Sequence, residues 1–291
     1  MFTRFIFWPW LAGLIVFLIG CVTLSKRLSW AQRQDKLIVF GPVFFAAPLA
    51  VFGAEHLAGA NFLAQAVPSW MPGHLFWAYF VGFCLVAAAL SLIFTKYVRW
   101  SAPLLALMFC MFVAMIHFPN VVKNPNNRII WAVAVRDLAF GAGALALAAA
   151  QRDPPWEPWL SIARFYIAAT LIFFGLEQFL HPEFGPGVPL PKVTPGWFPL
   201  HSFLGYPAGI ITLAGGALLL IRKYARNAAA SVGLLFTVLT FLLYLPILTT
   251  ATKPSEMNEG INYVADTLLF AGAVLLLAAA MPRNDPALRN P

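Results

Sequence analysis

The sequence predicts an all-α membrane protein of about nine transmembrane helices, with one extra N-terminal helix followed by two parallel four-helix repeats. Of the 291 residues, 61% are hydrophobic and 10% are charged, against about 45–50% and about 25% in soluble domains. Crossing a hydrocarbon core of about 30 Å takes about 20 apolar residues per helix. Nine helices would need about 180 residues, which leaves no room for a soluble domain. The uncharged runs are also too long and continuous for the alternating strands of a β-barrel.

The predicted spans follow these uncharged runs in order. The first ends at Lys26-Arg27; it has spanning length and lacks a small-residue cleavage site, so we interpret it as a helix and not as a signal peptide. A proline-dense linker at 153–158 separates the two repeats because prolines end helices. The spans are 5–24, 37–63, 75–95, 100–122, 129–150, 159–180, 200–221, 228–250 and 261–281, and the units are 1–36, 37–152, 153–158 and 159–291.

The basic residues predict the orientation in the membrane. The net charge of +8 comes mostly from short clusters between apolar runs, which favours the positive-inside bias and anionic headgroups over nucleic-acid binding. The set of loops that contains more Lys and Arg residues should face the cytoplasm. This places the N-terminus outside and the C-terminus inside a cell (inner) membrane. The three cysteines form no CxxC motif, so neither a thiol-redox motif nor a zinc knuckle is indicated. The cytoplasmic set is Lys26, Arg27, Arg33, Lys36, Lys96, Arg99, Arg152, Arg222, Lys223, Arg226, Arg283 and Arg289.

An internal repeat predicts the two-unit architecture. The motif Pro-x-Trp-x-Pro-x-His ends at His74 in one copy and at His201 in the other. The match continues through Tyr79/Tyr206 and Gly82/Gly209, and upstream and downstream it pairs Glu55 with Glu177 and Asp137 with Asp266. Since each unit has an even number of spans, both insert the same way up and are related by a pseudo-twofold axis along the membrane normal.

These motifs resemble the DoxX-like membrane proteins, which are small four-helix units. The resemblance covers residues 37 to about 281 and leaves the first helix outside it. It implies a membrane subunit tied to quinone-linked sulfur or redox chemistry. Two departures are the missing acid after Tyr-x-x-Gly and Leu245-Pro246-Ile247 where the first unit has Phe118-Pro119-Asn120. The motifs are His56, 68–74, 79–82, 96–99 and 116–120 in the first unit, and 181–184, 195–201, 206–209 and 222–226 in the second.

The candidate site consists of histidines and carboxylates near the outer membrane boundary. Charges inside a membrane are costly, so they pair, line a cavity or carry out chemistry. Plain pairing, such as Glu55 with Arg136, is the alternative to a site. Histidines would donate hydrogen bonds and protons to a quinone, acids would relay protons, and Arg136 would balance charge. The catalytic candidates are Glu55, His56, His74, Asp137, Glu177, His181, His201 and Asp266, and the cofactor-binding candidates are His74, Tyr79, His201, Tyr206 and Arg136.

Two other functions remain open at this point. A metal or haem site is favoured only by Glu177 and His181, which stand four residues apart and share a helix face; we assign no metal ligand. A transporter or scaffold would fit parallel repeats, although polar groups confined to the outer half disfavour a path through the membrane. Expected partners are the lipid bilayer and a soluble or membrane redox protein. The Gly141-Ala142-Gly143 and Gly215-Gly216 stretches predict close helix packing.

Overall fold

The computed structural model describes residues 2–187, 194–198 and 203–283, and within these ranges it is helical without strands. Nine long helices follow one another along this part of the chain. We label them α1 (Phe2–Trp30), α2 (Lys36–Ala58), α3 (His74–Ile93), α4 (Val98–Lys123), α5 (Arg128–Ala149), α6 (Glu157–Leu180), α7 (Gly205–Leu220), α8 (Arg222–Thr250) and α9 (Pro254–Ala280).

Eight of these helices are long and apolar enough to cross a membrane, which confirms an all-α multi-pass membrane protein. The exception is α7, whose 16 described residues are too few for the same criterion. The predicted span at 200–221 begins among residues outside the described ranges. The predicted start of the last span at Ile261 is too late, because α9 begins at Pro254. There the Glu256 carboxylate accepts hydrogen bonds from the backbone N–H groups of Thr252 and Lys253, which caps the helix.

Helix α9 lies at the centre of the bundle and is the most deeply buried of the eight candidate spans in the described chain. It packs against α2, α5 and α8. Small residues allow these approaches: a Cβ atom on Gly272 would lie 2.5 Å from the backbone nitrogen of Phe45 in α2. A Cβ on Gly143 of α5 would lie 2.5 Å from the Cβ of Ala273 in α9. The prediction that glycines serve close helix packing is confirmed for this stretch.

The remaining contacts follow a regular scheme. Helix α2 packs on α3, α3 on α4 and α4 on α5, while α6 packs on α7, α7 on α8 and α8 on α9. In addition, α2 packs on α9 and α6 packs on α5. Thus the first helix of each predicted unit packs against the last helix of the other. Many large apolar side chains stay exposed on the outside of the bundle, as a lipid-facing surface requires.

Two π-helical turns interrupt α4 and α8, at Val113–His117 and Thr240–Tyr244. Each is followed by a short helix with a proline in its first turn, Pro119 and Pro246. The two turns are separated by the same 127-residue offset that relates the sequence motifs. π-Helical turns occur frequently at functional sites.

The helices alternate in direction, so the bundle has two distinct ends. The C-terminal parts of α2, α4, α6 and α8 lie at the same end as the N-terminal parts of α3, α5, α7 and α9, and we call this the polar end. At the opposite, basic end, Arg226 bonds to the carbonyl oxygens of Ala278 and Met281 and to Asp35 at 2.6 Å. Arg283 approaches the same carboxylate at 2.8 Å, so two arginines surround one acid.

Candidate functional site

Arg136 is the centre of the polar-end site. Its Nε lies 3.3 Å from Asp137 Oδ1 on the same helix, and its Nη1 lies 2.5 Å from Asp266 Oδ2 on α9. Both carboxylates are buried. One guanidinium therefore joins the two aspartates that the sequence repeat aligns with each other, at the contact between α5 and α9.

His117 extends this centre towards α4. Its Nε2 lies 2.9 Å from Asp137 Oδ2, so Asp137 is held by Arg136 on one oxygen and by the imidazole on the other. The histidine ends the first π-helical turn, and about 19% of its side chain remains exposed. Such a carboxylate fixes the orientation of an imidazole ring, as it does in catalytic His–Asp pairs.

Glu55 adds a third carboxylate from the last turn of α2. The residue is 8% exposed, and its side chain lies close enough to the Asn262 and Asp266 side chains of α9 to interact with them electrostatically. Its Oε1 atom is buried without a hydrogen-bond partner among the described residues. In this part of the chain no basic side chain makes an ion pair with Glu55.

A polar cleft on the first turns of α9 opens onto Asp266, one of these carboxylates. Its volume is about 310 Å³. Asn258, Asn262 and Asp266 follow at four-residue spacing and so share one helix face. The Asn262 amide donates to the Asn258 carbonyl, and the Tyr263 hydroxyl donates to Glu259 at 3.1 Å. The cleft is lined by Ser255, Asn258, Glu259, Asn262, Tyr263 and Asp266.

A separate ion pair lies between α5 and α6. Arg128 Nε donates to Glu177 Oε2 at 2.7 Å, and the guanidinium stands 4.7 Å from the centre of the Phe184 ring. Asn127 accepts hydrogen bonds from the N–H groups of Ile129 and Ile130 and thereby starts α5 at this arginine. Glu177 thus has a basic partner from its neighbouring helix, whereas Glu55 does not.

The structure brings together four of the predicted site residues: Glu55, Arg136, Asp137 and Asp266. The others are elsewhere. His56 bonds through Nδ1 to the carbonyl of Phe52 on its own helix, and His181 lies at the surface 3.6 Å from Glu183.

His74 is partly buried as the first residue of α3. Tyr79 and Tyr206 point outward with 40% exposure each, Glu177 pairs with Arg128, and His201 lies outside the described residues.

The sequence analysis missed three participants: His117, Arg128 and Asn262. The helical spacing of Asn258, Asn262 and Asp266 was a signal for Asn262. Because the last span was predicted to start at Ile261, Asn258 fell outside the helix and the spacing was not recognised. His117 lies in the motif at 116–120 without an assigned partner, and Arg128 lies just before the predicted span at 129–150. Their roles depend on which helices adjoin, and a single sequence does not give this.

The charges of the cluster do not balance. Arg136 contributes one positive charge against the three carboxylates of Glu55, Asp137 and Asp266. A protonated His117 would leave one negative charge uncompensated. Unbalanced buried charge is costly, so the cluster is expected to take up a proton or a cation.

The described residues contain no group of three or more histidines, cysteines or carboxylates arranged to hold a metal ion. Compared with known proteins, the chain matches no protein-family profile, no curated protein and no solved structure. The DoxX-like resemblance therefore stays a prediction from the sequence motifs.

Proposed function

We propose that this protein is a membrane subunit of a quinone-linked redox system, in which His117 and Asp137 exchange a proton with a quinone at the polar end. The observation that carries this proposal is the 2.9 Å hydrogen bond between His117 and Asp137 on a helix that faces lipid. Imidazole gains and loses protons near neutral pH, which suits proton exchange.

The hydrogen bond to Asp137 occupies one ring nitrogen of His117 and leaves the other for a ligand. Asp137 fixes the ring through Nε2, and the described residues offer the Nδ1 atom no partner. Nδ1 is therefore the nitrogen available to a ligand.

The position of His117 suits a ligand that arrives from the bilayer. Helix α4 is the least buried of the eight candidate spans in the described chain, and the adjoining Phe118 is 60% exposed. A bound quinone supplies redox chemistry in which reduction of its carbonyl groups consumes protons. The chain itself would bind the head group, donate a proton to it from His117 and replace that proton through the Asp137 network, while a redox partner protein supplies electrons.

The finer architecture is part of the same proposal. We propose that α2–α5 and α6–α9 are tandem DoxX-like units related by a pseudo-twofold axis near the Asp137–Arg136–Asp266 contact. The matched π-helical turns and the packing of α2 on α9 and α6 on α5 support this arrangement. With the basic end in the cytoplasm, the site faces outward in a cell (inner) membrane.

Quinone binding to purified protein tests the function. Titration with a short-chain ubiquinone, followed by quenching of tryptophan fluorescence, should show saturable binding. Replacing His117 by Ala should weaken that binding by about 10-fold, or about 1.4 kcal/mol, because the hydrogen-bonding nitrogen is lost. The matched control is His181→Ala, which removes a surface histidine outside the cluster.

Two outcomes would contradict the proposal. One is the absence of saturable quinone binding by the wild-type protein. The other is an equal loss in the His117 and His181 variants, which would show that the ring at position 117 is not part of the site.

A further inference from the structure

The two repeats treat equivalent carboxylates differently. Glu55 and Glu177 occupy matching places at the ends of α2 and α6, within Phe-Gly-Ala-Glu and Phe-Gly-Leu-Glu. The glycine of each motif contacts an equivalent helix: Gly53 lies against Gly82 of α3, and Gly175 lies against Gly209 of α7. The surroundings of the two carboxylates are thus comparable on this side.

The difference lies on the helix across the unit boundary. Glu177 forms an ion pair with Arg128 of α5. Adding the 129-residue offset that pairs Asp137 with Asp266 places Met257 of α9 where Arg128 stands in α5. Methionine brings no charge. The first-unit carboxylate therefore lacks, at the aligned position, the cation that its counterpart has.

Unsatisfied oxygen atoms mark the place where that charge is missing. Glu55 Oε1 and Asn258 Oδ1 are both buried without a hydrogen-bond partner among the described residues. Asn258 lies one helical turn or about 6 Å along the helix from Asn262, whose side chain interacts with Glu55. Asn258 lines the cleft, and Glu55 lies next to two other lining residues, Asn262 and Asp266. Two neighbouring oxygen acceptors without donors indicate a positively charged ligand that oxygen atoms can coordinate.

The charge balance indicates a single positive charge. Asp137 and Asp266 both have Arg136 as their cation, so Glu55 is the carboxylate of these three that has no ion pair among the described residues. The exposed carboxylate of Glu259 also lines the cleft and accepts a hydrogen bond from the Tyr263 hydroxyl. A monovalent cation would neutralise Glu55, whereas a divalent ion would leave an excess positive charge in a buried place. Carboxylate, amide carbonyl and water oxygens are the ligands that hard cations prefer.

We infer that the cleft of α9 binds one monovalent cation such as Na⁺, with Glu55 supplying the charge and Asn258 a neutral oxygen. In the second unit the Arg128 guanidinium fills the equivalent role as a built-in cation. This inference does not depend on the quinone proposal, since the two sites use different residues of the polar end.

Binding of radioactive ²²Na⁺ to the purified protein in nanodiscs tests the inference. The wild-type protein should bind about one Na⁺ per chain, and Glu55→Gln should weaken this by about 10-fold or more because the neutral amide removes the charge. Asn258→Leu should weaken binding to a smaller extent. The matched control is Glu157→Gln, which neutralises an exposed carboxylate at the basic end and should bind as the wild type does.

The inference is overturned if the wild-type protein shows no saturable Na⁺ binding, or if Glu55→Gln binds as tightly as Glu157→Gln does. Size-exclusion profiles and thermal unfolding of each variant show whether the fold is retained, and Asn258→Leu leaves every charge in place. His117→Ala should bind Na⁺ normally and Glu55→Gln should bind quinone normally. Failure of one proposal is thus distinguishable from failure of the other.

Discussion

Glu55 and Glu177 are aligned by the sequence repeat, yet one lies beside an open cleft and the other is closed by an arginine. Glu177 holds Arg128 at 2.7 Å, and the guanidinium is further covered by Phe184. Glu55 has the Asn262 side chain and a buried oxygen atom without a partner. The comparison indicates that the second-unit carboxylate serves the structure, while the first-unit carboxylate was left available for a ligand.

The basic end sharpens this contrast. There Asp35 is approached by both Arg226 and Arg283, so positive charge exceeds negative charge. At the polar end, one arginine, Arg136, pairs with both Asp137 and Asp266, His117 also bonds to Asp137, and Glu55 has no basic partner among the described residues. The ion pairs at the basic end therefore fully compensate their carboxylate, whereas those at the polar end leave carboxylate charge without a cation.

The largest effect is expected from Arg136, which joins the two aligned aspartates. Arg136→Gln would leave two buried carboxylates without their cation, and such a loss typically costs about 3–5 kcal/mol. Equilibrium unfolding in mixed detergent micelles measures it. The control is Arg222→Gln, since its exposed pair with Glu157 should be worth about 1 kcal/mol or less. Equal losses in the two variants would show that Arg136 stabilises the protein no more than an exposed ion pair does.

A smaller effect separates the two compared carboxylates. Glu177→Gln should destabilise the protein by about 1.5–3 kcal/mol, because Arg128 loses a charge-assisted hydrogen bond. Glu55→Gln, measured without Na⁺, should be close to neutral or stabilising because it removes an uncompensated charge. The same unfolding assay checks both. If Glu55→Gln proves the more damaging, the assignment of structure to one carboxylate and ligand to the other is reversed.

The smallest change in stability should come from converting the first site into the second. Met257→Arg places a guanidinium where the repeat aligns Arg128. We expect ²²Na⁺ binding to fall by about 10-fold or more, with the unfolding free energy little changed, because a built-in cation replaces the bound one. Met257→Gln controls for the change in side-chain shape. Na⁺ binding that survives Met257→Arg would contradict the equivalence of the two sites.

The sequence predicted the membrane class, the ends of the spans at 75–95, 100–122, 129–150 and 159–180 to within two residues, and four residues that meet at the polar end. These features follow from apolar runs and from the cost of placing charge in a membrane. It did not predict that Asp137 bonds to His117 or that Glu177 bonds to Arg128. Those pairs depend on how α4, α5 and α6 are rotated against one another, which packing decides.

The aromatic residues illustrate the same limit. Tyr79 and Tyr206 repeat in the sequence, and both were candidates for quinone contact, yet both point outward. Repetition in the sequence is compatible with equivalent placement on the outer surface and does not by itself indicate a site. The roles of His74 and His201 stay predictions, as does the DoxX-like resemblance.

The most direct test of the central comparison is an anomalous difference map from crystals of the protein soaked in thallium(I) acetate. Tl⁺ is monovalent and scatters anomalously, so it reports the position of a bound cation. We expect a peak in the α9 cleft beside Glu55 and none beside Glu177, where Arg128 already supplies the charge. The absence of a peak beside Glu55, or equal peaks at both carboxylates, would contradict this expectation.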